Sequence, residues 1–279
     1  MLNFLSLQEI SKNQLDSSLI GGKAKALAQL YQNYFLVPDG FVITTEFFNL
    51  LLKDDAISEK DLEIIFKYID LCSPLGFVAV RSSASVEDSN EQSFAGQFET
   101  VLNVKKEDVL GAITKCWQSL YGPRVSIYSK HVKQGNDERK MAVLIQEMIY
   151  PEISGVAFSL HPVTKDSNSI VIEAVFGNNE LLVQGAVTPD YYVVNKQLEI
   201  LDKNVVSQEN IQFLDDKNGI SSKISIDGDL QKLSDDQIVA VAQIVINVEN
   251  FFHHPVDVEW AINKGSIFIL QSRPITKIN

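Results

Sequence analysis

Asp257, Glu259, Gln271 and Arg273 are the four side chains whose types and spacing best suit chemistry on phosphates. Mg²⁺ takes oxygen ligands, usually one or two from protein carboxylates, with phosphate and water completing its shell. Arg supplies a planar donor fork that phosphate oxygens accept. The four fall within 256–276, where two alternating runs flank Asn263-Lys264-Gly265, the pattern of a β-hairpin. A three-residue loop with Gly last closes such a hairpin, because Gly takes the left-handed position without strain. That closure predicts Ile262 opposite Ser266, Glu259 opposite Ile269 and Asp257 opposite Gln271. Alternation puts the four polar residues on one face and Val258, Trp260, Phe268 and Leu270 on the other. Glu259 and Gln271 become diagonal neighbours, roughly 7–8 Å apart, a gap that long side chains bridge. A solvated polar face has the same spacing, so the pattern alone leaves both readings open.

Two cations stand in settings that suit an anion. Gly21-Gly22-Lys23 opens a helical pattern in which Ala24, Leu27, Ala28 and Tyr31 share a face. A Gly pair at a helix start leaves backbone N–H groups for an anion, with Lys23 beside them. It is not a Walker A loop, since Ser17 and Ala24 stand where that motif needs Gly and a hydroxyl. Arg81 follows the apolar run 77–80, which reads as a buried strand delivering Arg81-Ser82-Ser83-Ala84-Ser85 at its end. Small polar residues lead on through Ser93-Phe94-Ala95-Gly96-Gln97 to a returning strand at 98–104. A loop of that kind can fold its N–H groups over phosphates; an ordinary long surface hairpin is the alternative, and the loop's length favours function over simple connection.

The remaining pattern supplies the elements that position these groups. A strand is predicted at 41–44, with Thr45 capping a helix to about residue 53. Helices follow at 59–71, 107–121 and 123–133, the last carrying His131. Apolar runs at 141–149, 154–160 and 170–176 read as strands, the first holding Gln146, Glu147 and Met148. Tyr191 starts a further strand, and 196–230 reads as short strands and loops. Ser234 and Gln237 form a capping box that opens a helix to Phe252. His253 and His254 are adjacent and point apart, so they make no metal pair by themselves.

A length of 279 residues allows one large domain or two ordinary ones. The net charge of −12 opposes nonspecific contact with nucleic acid or acidic membranes, so no such partner is expected. Cys72 and Cys116 lie far apart, which suits reduced thiols and a cytoplasmic protein. Residues 1–10 have no signal-peptide pattern, and the most apolar window, 238–248, is too short to span a bilayer.

Several motifs together resemble one family. They are Gly21-Gly22-Lys23, Val80-Arg81-Ser82-Ser83-Ala84, Ser93-Phe94-Ala95-Gly96-Gln97, Ser154-Gly155-Val156-Ala157-Phe158, Val187-Thr188-Pro189-Asp190, Val258-Glu259-Trp260-Ala261 and Leu270-Gln271-Ser272-Arg273-Pro274-Ile275-Thr276. Their order resembles the nucleotide-binding domain of phosphoenolpyruvate synthase, pyruvate phosphate dikinase and rifampicin phosphotransferase. The resemblance implies an α+β ATP-grasp fold, with two lobes whose antiparallel sheets clamp ATP, here 1–145 and 146–279. It implies that Lys23 and Arg81 hold phosphates, that Gly96 lies over them, and that Thr100 starts the returning strand. Gln146, Glu147 and Met148 would surround adenine and Glu180 would reach the ribose. Glu259 and Gln271 would bind Mg²⁺, and Arg273 would stabilise the transferring phosphoryl group, making Arg273, Lys23 and Arg81 the catalytic set.

Family members cleave ATP to AMP and phosphate and pass a phosphoryl group to a histidine of a swivelling domain. No such His-bearing loop occurs in these 279 residues, so a separate histidine carrier or a small acceptor is expected. His161 stands where the family has Asn before Pro, and reads as a turn residue. Gly177-Asn178-Asn179-Glu180 replaces Gly-X-Gly-Glu, with Asn179 able to take the left-handed conformation. A nucleotide-binding regulator without turnover and an ATP-grasp ligase forming ADP are the competing readings.

Overall fold

A computed structural model of the chain describes residues 3–13, 15–54, 57–84, 99–120, 140–209, 211, 213–214, 221–222 and 227–275. The chain forms two compact units, Met1–Tyr34 with Pro38–Met148 and Phe35–Val37 with Ile149–Asn279. The expected division after residue 145 falls inside a strand, so Gln146, Glu147 and Met148 belong with the first unit.

In chain order the first unit holds β1 (Phe4–Ser6), α1 (Leu7–Asn13), α2 (Ser17–Ile20), α3 (Gly22–Gln32), β2 (Gly40–Ile43), α4 (Thr45–Asp54), α5 (Glu59–Cys72), β3 (Phe77–Ala84), β4 (Thr100–Lys105), α6 (Val109–Ser119) and β5 (Met141–Glu147). The strands form one sheet in the order β1-β2-β5-β3-β4, and every pair is antiparallel. Phe41, Val80, Val143 and Ile145 point to one face, where Phe47, Ile65, Ile69, Ile113 and Trp117 from α4, α5 and α6 complete a buried core. Each such side chain contributes about 1.5–3 kcal/mol on burial. Cys72 and Cys116 are free and buried, and burial pushes both thiols up to about 12.

Two local expectations are corrected here. Strand β3 runs eight residues through Ala84, so Arg81, Ser82 and Ser83 lie within it rather than past its end. Buried polar groups need partners, and these serines have them: Ser82 Oγ donates to Glu99 O at 2.8 Å and Ser83 Oγ to Ile20 O at 3.1 Å. Thr45 does not cap its own helix; its hydroxyl donates to Ser18 O at 2.8 Å, tying α4 to α2. Gly96, the rest of its loop, and the helix expected at 123–133 with His131 lie outside the described residues.

The second unit holds β6 (Ile153–Phe158), β7 (Ser169–Phe176), α7 (Glu180–Val183), β8 (Asp190–Asn195), β9 (Ile200–Asn204), β10 (Phe213–Leu214), β11 (Ser221–Ser222), α8 (Asp235–Phe252), β12 (Val256–Asn263) and β13 (Ser266–Pro274). Six strands make an antiparallel sheet in the order β13-β12-β6-β7-β8-β9, while β10 and β11 pair separately. Helix α8 starts with the expected capping box and ends at His253, whose φ of 58° reverses the chain. It packs on β6, β7, β8 and β12. Trp260 fills the space above its cross-strand partner Gly155. A Cβ at Gly155 would lie 1.8 Å from Glu173 O and 2.8 Å from the indole, so only Gly fits. Among the described residues no helix is long and apolar enough to cross a membrane.

The hairpin closes differently from expectation. Asn263 pairs with Ser266, leaving a two-residue turn in which Lys264 (φ 50°) and Gly265 (φ 76°) are both left-handed. Such a turn matches the twist of the strands it joins. A bulge between Glu259 and Trp260 then adds one residue to β13. Trp260 pairs with Ile269 and Ala261 with Phe268, so Ile269, not Phe268, shares the face of Trp260.

Candidate functional site

The bulge determines which polar groups meet in the second unit. Past it, Glu259 lies directly opposite Gln271, and Asp257 opposite Arg273. The diagonal placement of Glu259 and Gln271 is thereby corrected to a direct pair, whose Cβ atoms are about 4.5–5.5 Å apart. The row continues across the sheet through Val156 and Glu173 to Tyr191. All these side chains point away from the face bearing Trp260 and Tyr192. One sheet face therefore carries Gln271, Glu259, Glu173, Asp257 and Arg273.

The charges on that face are arranged as partners. Arg273 Nη2 donates to Asp257 Oδ2 at 2.9 Å and lies 3.9 Å from Glu259 Oε1. Asp257 Oδ1 is buried and has no hydrogen-bond partner. Burial raises the Asp257 pKa, outweighing the Arg273 guanidinium, and Glu259 adds to the rise. Burial likewise raises Glu173, with Asp257 as a second, like-charged cause. The sequence named the four hairpin residues but missed Glu173, which joins them only through the register of β6 and β7.

In the first unit Lys23 and Arg81 are buried, at 7% and 8% exposure. Lys23 Nζ donates to Ser82 O at 2.7 Å. Arg81 pairs across the ladder with Thr100, so the two side chains share a face. Arg81 Nη1 donates to Gln146 Oε1 at 3.4 Å, and Gln146 Nε2 donates to Pro38 O at 3.1 Å. Gln146 thus braces Arg81, a link that the sequence does not reveal because the two stand 65 residues apart. The Glu147 N–H is committed to Asp39 O at 2.8 Å and that of Met148, more weakly, to Phe77 O at 3.4 Å. Burial raises the Glu147 carboxyl, and Asp39 raises it further.

Glu180 stands at the exposed start of α7, where its N–H donates to Asn178 Oδ1 at 3.0 Å. Asn179 has φ −83°, so the left-handed conformation expected there is absent; Gly177 adopts it instead, at φ 77°. His161 is a turn residue as expected. Its Nδ1 accepts from the N–H groups of Val163 and Thr164 at 3.2 and 3.3 Å, and Nε2 lies 3.1 Å from Tyr191 Oη.

These features define an α+β protein of two antiparallel sheets, one presenting buried cations and the other an oxygen-rich face with an arginine. The chain matches the family described as pyruvate phosphate dikinase, AMP/ATP-binding domain, over residues 61–279, and it belongs to that family. It is 34% identical to a probable phosphoenolpyruvate synthase of Methanocaldococcus jannaschii, over 98% of this chain and 26% of that protein. It is 36% identical to another from Archaeoglobus fulgidus, over 98% of this chain and 42% of that one. With a rifampicin phosphotransferase of Bacillus subtilis it shares 32% identity, over 98% of this chain and 36% of that protein. The chain thus spans between about a quarter and two fifths of these relatives' lengths.

Proposed function

We propose that the chain is a Mg²⁺-dependent, ATP-using phosphotransferase module of ATP-grasp build. The observation that carries this reading is the sheet face where Glu259 opposes Gln271 and Asp257 opposes Arg273, inside the family-matched region. Glu259 and Gln271 hold Mg²⁺, and Arg273 takes up charge on the transferring phosphoryl group. Lys23 and Arg81 hold phosphates, with Gly96 and Thr100 beside them. Gln146, Glu147 and Met148 border the adenine, and Glu180 reaches the ribose. Gln146 has a second task, since its amide braces Arg81.

The donor set fits Mg²⁺. Every candidate ligand on the face is an oxygen, and Asp257 Oδ1 is an orphaned carboxylate oxygen beside them. Among the described residues no group of three or more His, Cys, Asp and Glu side chains is arranged to hold a metal. Two protein oxygens suffice where phosphates and water complete the shell. When bound there, Mg²⁺ would supply positive charge that offsets the phosphate charge. The chain's own cations do the rest: in a loose transition state charge sits on oxygens, and fixed guanidinium and ammonium groups stabilise it without reorganising. Atoms balance as ATP plus water plus acceptor, giving AMP, inorganic phosphate and a phosphorylated acceptor. That acceptor is a histidine of a partner domain or chain, or a small molecule. A cytoplasmic setting accords with two free buried thiols.

The test is nucleotide analysis after incubating the pure protein with MgCl₂ and ATP, with and without host extract. AMP and phosphate, lost in Arg273→Ala, are the expected products. ADP as the sole product overturns the reading in favour of a simple kinase or ligase. ATP binding with no turnover in either condition overturns it in favour of a regulator.

A further inference from the structure

Helix α3 starts on a residue that cannot cap it. Its N-cap is Gly21, which has no side chain, and no side-chain cap bond arises from that position. The first turn of a helix nevertheless carries N–H groups without intrahelical acceptors. One of them is satisfied from 59 residues away: Ala24 N donates to Ser83 Oγ at 3.2 Å. The same hydroxyl donates its proton to Ile20 O at 3.1 Å. Ser83 therefore bridges the last carbonyl of α2 and the N3 amide of α3, and it is fully buried.

Two further contacts fix the joint. Gly21, at φ 76°, lies so close to β3 that a Cβ there would meet Ser83 O at 2.1 Å. Lys23 Nζ donates to Ser82 O at 2.7 Å. Ser82 is itself tied to Glu99, the residue just before β4, its N–H reaching Glu99 O at 3.1 Å and its hydroxyl the same oxygen at 2.8 Å. Arg81 and Ser83 point to one side of β3, and Thr100 is the cross-strand partner of Arg81.

We propose that Ser83 is a positioning residue for the phosphate cations: its hydroxyl caps α3 from the neighbouring strand and so sets Lys23 at a fixed place beside Arg81. The proposal rests on the reading of Lys23 as a phosphate ligand. A lysine on a glycine-capped helix has two sources of freedom, the helix start and its own four-carbon stem. The Ser83 hydroxyl removes the first and the Ser82 carbonyl restrains the second. Alanine at 83 accepts no N–H and offers no proton, so Ala24 N and Ile20 O both lose their partner in a buried place. The helix start then shifts or frays, and the ammonium loses its register with Arg81.

A double-mutant cycle on ATP affinity tests this, with Kd for ATP measured by calorimetry in MgCl₂ and the melting temperature followed in parallel. Lys23→Ala and Ser83→Ala are each expected to weaken ATP by about tenfold, the scale of one buried hydrogen-bonded contact. The double variant should bind no more weakly than Lys23→Ala alone, because Ser83 acts through the lysine. Adenosine, which has no phosphate, should bind Ser83→Ala and the parent protein equally. Ser83→Cys, of similar size and with a weak donor and acceptor, should fall between parent and Ser83→Ala; it also serves if Ser83→Ala does not fold. Additive losses, or equal losses for ATP and adenosine, would overturn the proposal and leave Ser83 a purely structural residue. A weakened Lys23→Ala beside an unchanged Ser83→Ala would overturn this proposal alone. An unchanged Lys23→Ala would remove the phosphate role of Lys23 and the proposal with it.

Discussion

Arg273 sits between two carboxylates and is held more tightly by the one not expected to bind metal. Its Nη2 is 2.9 Å from Asp257 and 3.9 Å from Glu259. A planar fork fixed on one side by Asp257 presents its remaining donors in a set direction, which a lysine does not reproduce. Arg273→Lys is therefore expected to lower ATP turnover by about a hundredfold, the scale of removing one preorganised donor to a developing charge. ATP affinity should change far less, and steady-state AMP release beside calorimetry separates the two. Glu147 gives a pH prediction. Burial, then Asp39, raises its pKa above the ordinary 4.5. A carboxyl raised on folding binds its proton more tightly in the native state. Its contribution to stability is full below pH 4.5 and is lost as pH rises through the raised value. Glu147→Gln should thus melt higher than the parent at pH 8, and the difference should vanish at pH 4, as thermal scans in the two buffers will show. The shared face of single polar residues was legible from type and alternation, as for Arg273 and Glu259. A contact was hidden where a residue far away in the chain supplies the partner, as for Ser83 on α3 and Gln146 on Arg81.

At the scale of elements, alternation revealed the hairpin of β12 and β13 and the face of its polar residues. It did not reveal the register. A two-residue turn and a bulge move the partner of Glu259 from Ile269 to Gln271. Period-two patterns carry no mark of a single inserted residue, which is why the pairing was out of reach while the strands were not. The serines of β3 misled for a related reason: small polar residues read as loop until their buried partners are known. Two glycines separate conformational from steric need. A Cβ at Gly265 meets nothing within 4 Å, so Gly265→Ala should cost only the left-handed strain, about 1–2 kcal/mol. At Gly155 the Cβ would strike Glu173 O and the Trp260 ring, so Gly155→Ala should cost more, about 1–3 kcal/mol from overpacking alone, and should disturb the row carrying Glu259 and Glu173. Urea unfolding ranks the two, and a larger loss at Gly265 would contradict the register.

Over the whole molecule, a net charge of −12 must coexist with an anion as large as ATP. On the proposed reading, three cations that the fold holds in place meet it: Lys23 and Arg81 in the first unit, Arg273 in the second. The one fully buried ion pair among the described residues serves the frame instead. Lys232 Nζ lies 3.0 Å from Asp190, and both side chains are wholly buried. Tyr192 Oη and the N–H groups of Val206 and Lys232 complete the shell of Asp190. This cluster pins 206 and 228–233 onto β8, largely within a region whose sequence reads as short strands and loops. Removing one partner strands the other charge, so Asp190→Ala should destabilise the protein by about 3–5 kcal/mol, measurable by urea titration.

The central claim, that the face of β12 and β13 binds ATP through a hard cation, is tested most directly by calorimetric titration of ATP with and without MgCl₂, in the parent protein and in Glu259→Ala. The account predicts saturable one-to-one binding that MgCl₂ strengthens in the parent, and a loss of that Mg²⁺ dependence in Glu259→Ala. The same Mg²⁺ dependence in both proteins would contradict it.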